Sequence, residues 1–193
     1  MIITISGTPG SGKSTVAKIL VKKLDAERIY VGGIRRELAR EKGMTLEELN
    51  DYAKTHPETD IDVDKKAAAK ARELDGEGKY VVVEGRTQFH FLPESLKVFM
   101  KVSTEEGARR IWKELQNKEM QEKRNEGNIN SFEEMKLRVQ KREEEDAERY
   151  MKYYGFDHRD EKHYDFILDT SDITAEEAAE KVMGFVKSKE QIQ

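Results

Sequence analysis

The sequence predicts an α/β fold, with a parallel sheet of about five strands covered on both faces by helices. Three observations predict it. Short β-branched or apolar runs alternate with helical stretches along the chain. The first run leads directly into a glycine-rich turn and then into a helical pattern. Two long helical segments exceed what a minimal alternation of strand and helix needs.

The expected strands are Ile2–Ser6, Arg28–Val31, Tyr80–Glu84, Leu96–Val102 and Phe166–Asp169. After the first, Thr15–Leu24 spaces Val16, Ile19, Leu20 and Leu24 as one helical face. Four helix starts read as capping boxes: Thr45 with Glu48, Ser103 with Glu106, Ser131 with Glu134, and Thr174 with Glu177. The additional helical segments are residues 32–78 and residues 105–154, the second broken near Asn125-Glu126-Gly127-Asn128. With no internal repeat and no Pro/Ser-rich linker, all 193 residues are expected to form one domain.

The turn reads GTPGSGKS, with Gly7, Gly12, Lys13 and Ser14 at the spacing G-x-x-x-x-G-K-S. Glycines let the backbone approach an anion, inward N–H groups meet it, and the helix N-terminus adds partial positive charge. In this pattern the lysine reaches the β- and γ-phosphates and the serine ligates Mg²⁺. The expected cofactors are therefore ATP and Mg²⁺, and the fold a P-loop NTPase. Gly7, Thr8, Pro9, Gly10, Ser11, Gly12, Lys13, Ser14 and Thr15 form the expected cradle.

Composition limits the partners. Net charge is −4, which argues against nonspecific nucleic-acid binding. There is no cysteine, so disulfides and thiolate–metal sites are excluded. No leader peptide and no apolar run of membrane-spanning length stands out, and the expectation is a cytoplasmic protein. The four histidines are scattered and suggest no metal centre. Trp112, Tyr150, Tyr153 and Tyr154 fall in helical stretches, as packing residues do.

A second carboxylate stands in YVVVEGR. Glu84 ends an apolar run, so a parallel sheet sets it at the carboxyl edge beside the glycine-rich loop. There it can support the shell of the metal, or serve only as a cap or ion-pair partner. Arg86 follows two residues on. Arg142, Asp146 and Arg149 share one helix face, and Arg138 precedes them in the same segment. Guanidinium groups bind phosphate bidentately and neutralise the charge of phosphoryl transfer. The same spacing also suits a solvated helix laced with ion pairs.

Together GTPGSGKST, GGIRRELAREKGMTLEEL, PETDIDVD, VVVEGR, REEEDAERYMKYYG and ILDTS resemble the cytidylate kinases in their short archaeal form, across essentially the whole chain. The family's glycine and arginine after the second strand match Gly32 and Arg36. Its P-E-x-D-x-x-x-D stretch matches Pro57, Glu58, Asp60 and Asp64. Its E/D-G-R turn matches Glu84, Gly85 and Arg86, and its R-x-x-x-D-x-x-R helix matches Arg142, Asp146 and Arg149. The resemblance implies phosphoryl transfer from ATP to CMP or dCMP. It implies catalytic roles for Lys13, Arg110, Arg142 and Arg149, with Arg110 as the lid arginine. It implies substrate binding by Arg36, Asp60, Glu84, Arg86, Thr87 and Asp146, and Mg²⁺ held at Ser14 and Glu84. Residues 32–78 would bind the acceptor and residues 105–154 would form a lid.

The chain departs from the family near the expected base site. Tyr30 and Val31 stand where a serine is usual, Lys65 and Lys66 where arginines are frequent. Bacterial relatives carry an aspartate after the E/D-G-R turn that helps read cytosine; here it is Thr87. The following Gln88–Phe91 matches no family pattern, and Gln88 and His90 can bond a base edge or merely satisfy a turn. An AMP or UMP kinase therefore stays open. So do a kinase of a non-nucleotide acceptor such as shikimate, and a nucleotide-dependent switch or RNA-processing factor. The expected partner is a small nucleotide, with neither membrane nor nucleic acid, and the expected state is a monomer.

Overall fold

A computed structural model describes residues 1–191 of the chain. Five strands form one parallel sheet: β1 (Ile2–Gly7), β2 (Glu27–Tyr30), β3 (Val81–Glu84), β4 (Leu96–Lys101) and β5 (Phe166–Asp169), in the spatial order β2-β3-β1-β4-β5. Every residue of β1 and β3 is buried, as expected of strands covered on both faces. Alternation divides their side chains between two cores. Ile3, Ile5, Val82, Val98 and Met100 pack against α1 (Lys13–Leu24) and α9 (Ala175–Glu190). Ile2, Ile29, Val81 and Val83 pack against α4 (Glu58–Gly76).

The order makes β1 the switch point: β3 lies on one side of it and β4 on the other. Ile5 stands beside Glu84, so the loop after β1 and the end of β3 open into the same crevice.

The first helical excursion holds α2 (Val31–Glu41), α3 (Leu46–Ala53) and α4. The second holds α6 (Thr104–Leu115), α7 (Lys118–Arg124) and α8 (Phe132–Tyr154), with a core of its own from Ala108, Ile111, Leu115, Met135 and Val139. No residue of α7 is buried, and Asn125 at φ 52° and Gly127 at φ 76° end the helix where the sequence places its break. Among the described residues no helix is long and apolar enough to cross a membrane.

Several boundaries shift. Val31 belongs to α2 rather than β2, because the helix begins directly at the strand's end. The first helix starts at Lys13, so the lysine and serine of the glycine-rich motif form its first turn. Gln88–Phe91 is a short helical turn, α5. Thr45/Glu48 and Thr174/Glu177 are reciprocal capping boxes. Ser103 and Ser131 cap only one way. Glu106 turns to Arg109 and Arg110, and Glu134 to the Asn130 amide and Arg138.

Candidate active site

A cavity of about 1020 Å³ opens along the carboxyl edge of the sheet. Pro9–Thr15 line one end of it. Arg36, Asp60, Asp64, Glu84, Arg86, Thr87, Arg110, Arg142, Asp146 and Arg149 line the remainder. Every site residue expected from the sequence is there except Gly7 and Thr8, which lie behind the loop and tie it to β4. The Thr8 amide donates to the Met100 carbonyl at 3.1 Å, and a Cβ on Gly7 would collide with that carbonyl. A Cβ on Gly10, at φ 74°, would likewise strike the Gly107 backbone of α6. Loop, β4 and α6 thus meet at contacts only glycine permits.

Gly12 precedes α1 at φ 82° and supplies no side-chain cap, which leaves the first amides of the helix facing the cavity. Lys13 Nζ donates to the Gly7 carbonyl at 2.8 Å and the Thr8 carbonyl at 2.6 Å. Burial, with Arg86 and Arg142 nearby, pulls its pKa down to about 7, against the pull of Glu84. The loop is therefore arranged for an anion that would restore the charge. Ser14 donates to Glu84, whose other oxygen pairs with Arg28. Arg28 and Tyr30 share a strand face, and the guanidinium lies 4.6 Å from the centre of the ring.

Facing the loop is an arginine–carboxylate network drawn from distant parts of the chain. Arg149 is 3% exposed; it donates to Asp60 at 2.8 Å and to Asp146 at 2.6 Å. Asp60 also binds Arg35, which reaches Asn50 at 3.0 Å. Asp146 pairs with Arg86, and lies 3.9 Å from Arg142. Arg36 donates to the Tyr30 hydroxyl at 2.7 Å and to the Gly32 carbonyl at 3.0 Å.

Glu126, from the loop between α7 and α8, enters this cluster. One of its carboxylate oxygens lies 3.2 Å from Arg142, 3.8 Å from Arg124 and 4.0 Å from Arg36. Burial alone would raise its pKa; Arg142, Arg36, Arg124 and Arg86 together hold it low. Arg142 is pushed downward by burial and by Arg86 and Arg36, with Glu126 opposing.

Arg110 stands apart from this group. It donates to the Thr170 carbonyl at 2.7 Å and the Ser171 carbonyl at 3.1 Å, in the loop after β5. Thr170 in turn donates to the Ser11 carbonyl at 3.0 Å. The lid-side arginine expected from the resemblance is therefore docked beside the glycine-rich loop, because α6 packs there through Gly107.

The sequence reading missed Arg28, Arg35, Arg124 and Glu126. A signal existed for two of them. Arg124 precedes the Asn125–Gly127 turn and Glu126 lies within it, and loop residues carry function more often than helix faces do. Thr87 and Gln88 are present in the cavity wall or behind it, and both donate to Asp64, at 2.8 Å each. His90 is exposed and packs on Phe156.

No group of three or more His, Asp or Glu suited to a metal occurs among the described residues. One hydroxyl and one carboxylate, Ser14 and Glu84, fit Mg²⁺, which takes most of its oxygens from phosphates and water.

The family model described as an AAA domain (AAA_18) matches residues 3–131. A cytidylate kinase of Archaeoglobus fulgidus is 36% identical over 190 residues, covering 98% of this chain and 96% of that protein. An S-adenosylmethionine-dependent nucleotide dehydratase of Lacinutrix mariniflava is 31% identical over 182 residues, covering 94% of this chain. The chain spans only 35% of that protein's length. Among solved structures, a shikimate kinase from Bacteroides thetaiotaomicron superposes with a TM-score of 0.61 at 14% identity, covering 97% of this chain and 98% of that one. The structural likeness shows a shared P-loop kinase fold. Sequence identity sustained across nearly the full length of both chains goes further, and on it the chain belongs to the cytidylate kinase family.

Proposed function

We propose that the protein transfers a phosphoryl group from Mg-ATP to a nucleoside monophosphate, CMP or dCMP, giving ADP and CDP or dCDP. The observation that carries this is two sets of anion-binding groups lining one cavity: the Pro9–Thr15 loop, and the cluster of Arg36, Arg86 and Arg142. A hydrolase or switch needs only the first set; a phosphoryl acceptor explains the second.

Loop amides and Lys13 hold the donor phosphates, with Lys13 between β and γ. Ser14 and Glu84 would hold Mg²⁺, which would supply charge neutralisation on the phosphates. Arg36 and Arg86 fix the acceptor phosphate. Arg142, close enough to Lys13 to help lower its pKa, neutralises charge as the phosphoryl group moves. Arg149, locked to Asp60 and Asp146, sets the position of α8. Arg110 borders the donor through the loop after β5. The acceptor is already a phosphate oxygen, so no strong general base is required, and catalysis is positioning plus electrostatics. The same reading has the enzyme acting as a monomer in the cytoplasm, with residues 105–154 closing as a lid.

The test is ADP release with Mg-ATP and CMP, dCMP, UMP, AMP, GMP or shikimate. The expected result is kcat/KM for CMP and dCMP at least about tenfold above the others, about 1.4 kcal/mol of discrimination. A preference for AMP or UMP would change the acceptor and keep the mechanism. ATP turnover indifferent to every acceptor would overturn the kinase reading.

A further inference from the structure

Five carboxylates line the cavity: Asp60, Asp64, Glu84, Glu114 and Asp146. Four have a cationic partner. Asp60 pairs with Arg35 and Arg149, Glu84 with Arg28, Glu114 with Arg124, and Asp146 with Arg86 and Arg149. Among the described residues Asp64 has none, although it is only 4% exposed.

Neutral donors surround it instead. Thr87 Oγ1 and the Tyr154 hydroxyl each donate to Oδ2 at 2.8 Å, and Gln88 Nε2 donates to Oδ1 at 2.8 Å. Burial pushes its pKa up to about 6, with the Thr87 and Tyr154 bonds opposing. A carboxylate offers about four lone-pair sites. Three are occupied, and one on Oδ1 is left. A buried charge is ordinarily paired or replaced by an apolar group, because leaving it unpaired costs stability. Here the fold spends three side chains from two separate regions to orient it.

Its position suits a ligand. Asp64 lies one helical turn from Asp60 on α4, and Thr87 follows Arg86, which the proposed mechanism places on the acceptor phosphate. Asp64 and Arg86 line the same cavity, so an acceptor held by Arg86 shares its space with this carboxylate.

We propose that Asp64 is the residue that selects the acceptor's base, its carboxylate accepting a hydrogen bond from the exocyclic amine of cytosine. This rests on the acceptor-kinase reading above. Uracil presents a carbonyl at the same place. Two acceptors then face each other without a proton between them, and a buried polar group is left unsatisfied. Sites built around such a hydrogen bond reject the analogue lacking it more strongly than a hydrophobic pocket does. Thr87, which cannot read the amine as a carboxylate would, orients the carboxylate that does.

The experiment is kcat/KM for CMP and UMP with wild type, Asp64→Asn and Asp64→Glu, each checked for its fold by circular dichroism. Wild type should favour CMP at least about tenfold. Asp64→Asn should lose at least about tenfold on CMP, through KM more than kcat, and bring the CMP:UMP ratio near or below one. Where Asn is not tolerated, Asp64→Glu displaces the charge by one methylene and should lower CMP far more than UMP. A wild-type preference for CMP that survives both substitutions overturns this assignment alone. Wild type that phosphorylates neither nucleotide overturns the kinase reading and this one with it.

Discussion

The two ends of the cavity are built on opposite principles. The proposed donor end comes from one continuous stretch, Pro9–Thr15, whose groups for an anion would be mostly backbone N–H groups, set between the strand before the loop and the helix after it. The proposed acceptor end comes from side chains on α2, α4, the end of β3, the loop before α8, and α8 itself. Arg149 and Asp60, in direct contact, are 89 positions apart in the chain. A backbone cradle exists once its strand and helix exist. A side-chain cluster exists only when every contributing element has docked. Substitutions at the donor end should therefore strike the chemical step, and those at the acceptor end should spread over binding, alignment and lid position.

The sharpest separation of the two ends is Lys13→Ala. It removes the one charged side chain of the backbone cradle, and kcat should fall about 10³-fold with unchanged far-ultraviolet dichroism. An unchanged kcat would break the donor assignment. Next in size, Arg142→Lys keeps a charge but loses the planar fork, and kcat/KM should fall about 10²-fold, with KM for the acceptor rising and KM for ATP nearly constant. Equal effects on both substrates would mean that the ends are not separable.

Protonation offers a finer probe of the donor end. Lys13 in the free protein has its pKa lowered to about 7, and phosphate nearby raises it again. Mg-ATP binding between about pH 7 and pH 10 should therefore take up a proton, approaching about one near pH 8, and affinity should fall as pH rises through that window. Calorimetry in buffers of different ionisation enthalpy reads the uptake, and Lys13→Met should abolish it. The smallest expected effect is at the acceptor end. Glu126→Gln removes an anion that competes for Arg142 and Arg36, so KM for CMP should fall about threefold, under about 1 kcal/mol. A rise in KM would mean that Glu126 arranges the arginines rather than competing for them.

Legibility in the sequence followed the same division. Gly7–Ser14 could be placed as a loop between a strand and a helix because the physics is local: spacing, a strand before, a helix after. The sheet was legible to within a residue or two at each strand, because β-branched runs need no partner information to be seen. Arg142, Asp146 and Arg149 were visible as a helix face, yet spacing alone did not distinguish a solvated face from a buried one. The structure buries Asp146 and Arg149 to 3% exposure. Arg28, Arg35, Arg124 and Glu126 escaped notice because ion pairing between separate elements leaves no period in the sequence. Val31 was assigned to the strand on its β-propensity; tertiary context makes it the first residue of a helix instead.

The Glu126 contact has a consequence for the company the protein keeps. A cell is crowded with polyanions, and an uncovered pocket of guanidinium groups would attract RNA strands and inorganic phosphate indiscriminately. With a carboxylate of its own chain seated among Arg36, Arg124 and Arg142, the cavity meets such molecules with one of those charges already answered. A visitor must then offer the right shape as well as the right charge, because attraction alone gains little over the anion already in place.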